Sequence, residues 1–194
     1  MRKFIIITSL LLLAVNLVSA QNSTNSEYEA NYQKNYIYIN PIQPVFYTLQ
    51  MGYERVFKEN KRSIIICLGI YREEYDFIKN KGFTDELQYR FYINSNESDD
   101  RNKLTFDYYL GPYFNHKFFD INRSRYTAHN FILGAVGGLR LSYKSFALDL
   151  HVGGGYKHVI FGGYHTNYNG YEEFSDIGYT GILPKLGVQI GYKF

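Results

Sequence analysis

Past residue 33, apolar and polar side chains alternate with a period of two, in runs separated by polar turns. No 3.6-residue pattern competes with them. The clearest run, Val45 to Phe57, sets Val45, Tyr47, Leu49, Met51 and Tyr53 against Thr48, Gln50, Gly52 and Glu54. A polar turn at 58–62 leads to Ser63–Arg72, with Ile64, Ile66, Leu68 and Ile70 on one face. A longer polar connection follows. In Glu86–Asn94, Leu87, Tyr89, Phe91 and Ile93 then alternate with Gln88, Arg90 and Tyr92. After a charged turn at 95–103, Leu104–His116 alternates Leu104, Phe106, Tyr108 and Leu110 with Thr105, Asp107, Tyr109 and Gly111. Residues 117–126 connect to Thr127–Ser142, where Phe131, Leu133, Ala135, Leu139 and Leu141 face one way. A tight turn at 143–145 opens Phe146–His158, and a connection rich in Gly, Tyr and Asn precedes Tyr179–Phe194.

These are seven strands joined by connections that alternate short and long, the pattern of an antiparallel up-and-down barrel. In barrels that span outer membranes the short turns are periplasmic and the long loops extracellular. The last strand then ends in the periplasm. Counting back, an outward strand must precede Val45, and Asn35–Ile42 is the segment available. The expectation is an all-β, eight-stranded transmembrane barrel over 34–194. Pro112 and Pro184 predict bulges or unpaired strand extensions, because proline cannot donate to a ladder.

The N-terminus reads differently. Arg2 and Lys3 precede an apolar run from Phe4 to Leu17, and Val18-Ser19-Ala20 offers small residues for cleavage between Ala20 and Gln21. The run is shorter than the roughly 20 residues of a spanning helix, and no Cys near the site points to a lipoprotein. Residues 21–33 read as a flexible polar lead-in. Without the first twenty residues, the 21 basic and 18 acidic residues become 19 and 18, so charge implies no nucleic-acid partner. Cys67 stands alone, which excludes the disulfide-stapled secreted class. The mean hydropathy of -0.31 looks soluble, but a membrane barrel averages an apolar and a polar face.

Three features place the apolar face outside. Glycine concentrates on the polar face, at 52, 69, 111, 134, 138, 153, 155, 187 and 191, where a crowded lumen needs small residues; Gly137 and Gly154 depart from this. Tyr and Phe flank the aliphatic stretches, as interfacial girdles do. The chain also stops on an aromatic residue at the end of a strand. The lumen then holds Glu54, Arg90, Asp107, Arg140, Asp149 and Lys185. These charges could line a channel or a catalytic cluster. Eight strands leave no room for an aqueous pore, so they read as a structural ion-pair network. Asp107 and Asp149 are expected to pair with Arg90, Arg140 or Lys185.

The ending Leu186-Gly-Val-Gln-Ile-Gly-Tyr-Lys-Phe194 resembles the signal by which outer-membrane barrels are recognised for assembly. Leu186, Val188, Ile190, Tyr192 and Phe194 hold its alternating positions. With the segments at 40–57, 86–93 and 148–157, it is similar to an uncharacterised family of small Gram-negative outer-membrane barrels of the OmpA/OmpX-like eight-stranded type. The resemblance implies residence in the outer membrane, lipid as the surrounding partner and handling by a barrel-assembly machinery. It implies no activity.

Candidate chemistry is sparse. His151, His158 and His165 are evenly spaced, but a seven-residue step reverses the face of a strand, so no metal-ligand pattern emerges. Lipid A deacylases of outer membranes share a His-x-Ser pair, and no histidine here has Ser two residues on. Cys67 reads as a small packing residue. No cofactor is implied. Residues 159–178 form the candidate recognition loop, since Tyr, Gly and Asn make adaptable contacts. The reading is a barrel with a structural, adhesive or interaction role. Its alternatives are a lipid-modifying membrane enzyme or a soluble lipocalin-like barrel, the latter disfavoured because its usual Gly-x-Trp motif cannot occur without Trp.

Overall fold

The computed structural model describes residues 34–57, 62–75, 78–93, 103–121, 126–163 and 179–194. The leader at 1–20, the lead-in at 21–33 and residues 164–178 of the candidate loop lie outside them. Eight strands follow in order: β1 (Lys34–Ile39), β2 (Thr48–Val56), β3 (Arg62–Tyr75), β4 (Ile78–Tyr92), β5 (Thr105–Ile121), β6 (Tyr126–Tyr143), β7 (Phe146–Gly163) and β8 (Gly181–Lys193). Each pairs antiparallel with its sequence neighbours, and β1 pairs with β8 to close the barrel. No sheet edge is left, which lets a sheet sit in hydrocarbon without unpaired backbone groups.

The strand inferred chiefly from topology is present as β1. It stops at Ile39, three residues before its expected end. The Asn40 side chain there accepts from the backbone N–H of Ile42 and Gln43, turning the chain. A 3-10 turn over Gln43–Phe46 follows, and Tyr47 ends it in the left-handed region at φ 56. Val45 and Tyr47 therefore belong to a turn rather than to the strand expected from Val45, and β2 begins at Thr48.

The long connections expected at 73–85 and 117–126 are mostly strand. β3 and β4 stay in register up to Tyr75↔Ile78, and β5 and β6 up to Ile121↔Tyr126. β7 continues through Val159–Gly163, which were expected to open the recognition loop. Backbone pairing continues there without a two-period pattern, because strands that rise clear of the apolar belt need not alternate. At the opposite end, the connection between Tyr92 and Thr105 is longer than these hairpin tips. Loop length does not alternate as expected; ladder length beyond the belt marks the two ends instead.

Pairing fixes the barrel's shear. A walk from Gly191 passes through Tyr38, Gly52, Cys67, Glu86, Asn115, Ile132 and Lys157 to Gly181, ten residues from its start on β8. With ~3.3 Å per residue and ~4.8 Å between strands, that stagger tilts the strands by ~40°. Neither proline introduces a bulge, contrary to expectation. Pro112 pairs with Ala135 and Pro184 with Gly154 in unbroken register. Only the β4–β5 ladder lapses, between Gln88↔Tyr113 and Phe91↔Leu110, and it resumes at the same offset. That gap lies on the side where Pro112 has no N–H to offer.

Burial is inverted relative to a water-soluble barrel. Leu49, Ile66, Leu68, Leu87, Leu110, Leu133, Val152 and Ile190 are exposed on the outer wall, while Glu54, Arg90 and Asp149 inside are 0% exposed. This is a transmembrane barrel, and a soluble lipocalin-like barrel would bury the opposite face. Gly153 points inward, where an added Cβ would lie 2.2 Å from the Ala135 carbonyl oxygen. Gly154 points outward, where the nearest atom would be 3.3 Å away. Gly153→Ala is expected to destabilise the barrel by about 2 kcal/mol through overpacking against the β6 backbone. Gly154→Ala is expected to stay within about 0.5 kcal/mol. Urea unfolding of the two refolded variants checks the difference.

Candidate functional site

The six sequence-selected charges all project into the lumen, where the structure builds them into tiers. Nearest the end that holds Lys34 and Phe194, Glu54 accepts from the hydroxyls of Tyr38 (2.8 Å), Ser63 and Tyr92. Arg140 reaches Glu54 through Nη1 at 3.3 Å and Asp107 through Nε and Nη2 at 3.3 and 3.0 Å. Its guanidinium lies between the rings of Tyr36 and Tyr92, 4.6 Å from each centroid.

The second tier is Arg90 and Asp149. Arg90 Nη1 donates to Asp149 Oδ2 at 2.6 Å and Nη2 to Oδ1 at 3.4 Å, while Nε donates to Gln88 at 2.9 Å. Asp149 also accepts from the Tyr109 hydroxyl at 2.8 Å and faces His151 Nδ1 at 3.0 Å. The third tier joins Lys185, over the Tyr113 ring at 4.0 Å, to Glu86. Gln88 and Asn115 also donate to Glu86.

Every one of these charges has an opposite partner, and Glu54, Glu86, Arg90 and Asp149 make further hydrogen bonds, as burial in a low-dielectric interior demands. The tiers fill the bore with Tyr and Arg side chains. Such a lumen holds the wall together, and among the described residues these tiers are charged and aromatic. Glu86 was not among the selected charges, although it shares parity with Gln88 and Arg90 on the same strand. Tyr38, Tyr92 and Tyr109 carry no signal of their own in the sequence, because tyrosine is equally at home in an interfacial girdle.

Cys67 is buried in the lumen beside Tyr38, and Gln189 Nε2 lies 3.7 Å from its sulfur. His151 points inward and His158 outward, so they do not converge; His165 lies outside the described residues. Among the described residues, no three His, Cys, Asp or Glu side chains are arranged to hold a metal ion.

A polar cluster of a different kind sits on the other side of the wall. On the outward face, Asp85 Oδ1 is 3.0 Å from His116 Nδ1, and His116 Nε2 is 3.1 Å from His129 Nδ1. The imidazoles stack 5.4 Å apart at 9°. Phe131 stacks on His116 at 4.8 Å, and Phe83 and Phe118 pack edgewise or tilted against the pair.

The sequence matches no protein-family model and no curated protein. Among solved structures, the fold is similar to that of Neisserial surface protein A, at 9% identity and TM-score 0.44, covering 85% of this chain and 98% of that one. It is also similar to a major outer membrane protein from Thermus thermophilus, at 12% identity and TM-score 0.45 over 84% of this chain and 98% of that one. A third is Ail, the attachment invasion locus protein of Yersinia pestis, at 13% identity and TM-score 0.41 over 84% and 99% of the two chains.

Proposed function

We propose that the chain is an outer-membrane β-barrel with a structural, adhesive or interaction role at the cell surface, closed to permeation and without enzymatic activity. The carrying observation is the inverted wall, apolar outside and ion-paired inside. A closed barrel is the form in which β-structure spans a membrane. The plugged lumen argues against transport. Contacts with other molecules would fall to the end where β3–β7 extend beyond the belt, together with residues 164–178. That end is the extracellular one in this reading, because the longest strand ladders rise beyond the apolar belt there.

Export fits the same reading. The leader would be cut between Ala20 and Gln21, and the barrel-assembly machinery would read Leu186, Val188, Ile190, Tyr192 and Phe194. All five sit on the outward face of β8 or just past its end.

Membrane fractionation tests the proposal. The protein is expected in the outer-membrane fraction as a heat-modifiable band, with an intact mass that begins at Gln21. Recovery from the soluble periplasm would overturn the location, and a mass that retains residues 1–20 would overturn the processing site.

A further inference from the structure

We infer that Asp85, His116 and His129 form a proton-gated site for a phosphate-type anion on the outer wall, at the rim of the apolar belt. The placement rests on the outer-membrane reading; the chemistry does not.

Three strands converge to make the site. Asp85 registers with His116 across β4 and β5, and Phe118 registers with His129 across β5 and β6. One row nearer the chain termini the wall is Leu87, Phe114 and Leu133, all exposed and apolar. His116 is the first polar outward residue on β5 after Phe106, Tyr108, Leu110, Pro112 and Phe114. That apolar stretch matches the roughly 9–11 residues of a spanning strand. The cluster therefore lies where hydrocarbon gives way to headgroups.

The hydrogen-bond chain has a fixed sense. An ionised Asp85 carboxylate can only accept, so His116 Nδ1 carries the proton between them. A neutral His116 then accepts at Nε2, and His129 Nδ1–H donates to it. His129 Nε2 is left at the end, with no partner among the described residues. Neutral, it presents a lone pair. Protonated, it presents an N–H donor and a positive charge that Asp85 steadies through His116. A group that gains a donor and a charge together is suited to an anion, and phosphate oxygens are what headgroups supply at this depth.

A catalytic base would need a nucleophile and a group to hold an oxyanion. The nearby hydroxyl, Thr127, is already bonded to the Gly162 carbonyl. On β3, Leu68 lies across from Asp85. Above, Lys81 pairs with Asp120 at 3.3 Å. On β7, His158 lies across from Phe131 and Ile160 across from His129. Lys81 and Asp120 offset one another, so a proton on His129 cancels the Asp85 charge and takes the site from net negative to neutral, with an N–H donor facing out.

The test uses the full mature chain, labelled with 15N-histidine and refolded in a glycoside detergent free of phosphate. Ring 15N shifts are followed during titration with inorganic phosphate at pH 6 and pH 8. The expected result is a shift of His129 Nε2 at pH 6, with an affinity on the order of tenfold weaker at pH 8, because only the protonated ring donates from that nitrogen. His129→Gln should abolish the response and His158→Gln should keep it; heat-modifiable migration certifies that both are folded.

A second arm uses phosphatidylcholine nanodiscs with and without phosphatidic acid. A His129 shift that needs phosphatidic acid makes the ligand a lipid headgroup; a response confined to inorganic phosphate makes it a soluble anion. No shift, equal affinity at both pH values, or an unchanged response in His129→Gln would overturn the inference. The detergent arm stands even where fractionation fails to find the protein in the outer membrane.

Discussion

Asp149→Ala is expected to lower the stability of the folded barrel by about 3–5 kcal/mol, the cost of stranding a buried charge. Arg90 is wholly buried and spends two of its three nitrogens on this carboxylate. Without Asp149 its remaining partners are Gln88 and the face of Tyr109, 3.9 Å away. The Tyr109 hydroxyl and His151 Nδ1 lose the same oxygen. Arg90 and Asp149 are both 0% exposed, so bulk water does not reach the guanidinium to replace it.

The cost belongs to the unpaired partner more than to the pair. An Arg90→Met, Asp149→Leu double variant is therefore expected to lose less than either single change would suggest by addition. Urea unfolding of the refolded barrel, read from the heat-modifiable band, measures both. An Asp149→Ala protein that unfolds at the parent's urea concentration would mean that the Arg90 charge is solvated, and that the lumen is wetter than its geometry implies.

How far this network was legible depends on where each residue sits along its strand. Arg90, Asp107, Arg140, Asp149 and Lys185 lie inside long alternating runs, where parity alone assigns the face. Glu86 stands at the start of its apparent run, because the preceding Lys79, Asn80, Lys81, Thr84 and Asp85 look like a loop. In the structure those residues are paired strand, held by backbone hydrogen bonds to β3 and β5 that leave no mark on hydropathy.

The outer cluster was illegible for a different reason. Asp85, His116 and His129 are far apart in sequence, and only the register between three strands joins them. Intervals within one strand test for ligands on that strand; they say nothing about neighbours across it. Val45 was misread because a short 3-10 turn can place an apolar residue where a strand would also put it.

Phe194→Asp is expected to block insertion while leaving export intact, with processed, protease-sensitive protein accumulating in the periplasm and little folded barrel in the outer membrane. Two roles meet at this residue. Its backbone closes the seam: Phe194 N–H donates to the Asn35 carbonyl at 3.0 Å, and Asn35 N–H donates back at 3.4 Å. Its ring is exposed on the outer wall, in line with Tyr192, Ile190, Val188 and Leu186. An aromatic ring suits that boundary, where membrane barrels carry girdles of aromatic side chains. A carboxylate there interrupts the alternation that the assembly machinery would read, yet it leaves the backbone hydrogen bonds available. The comparison with Phe194→Tyr separates the two roles. Tyrosine keeps ring and backbone and should assemble like the parent, whereas aspartate keeps only the backbone and should stall. If the aspartate variant reaches the outer membrane as a heat-modifiable band in parental amount, backbone closure alone suffices and the terminal ring is packing rather than a signal.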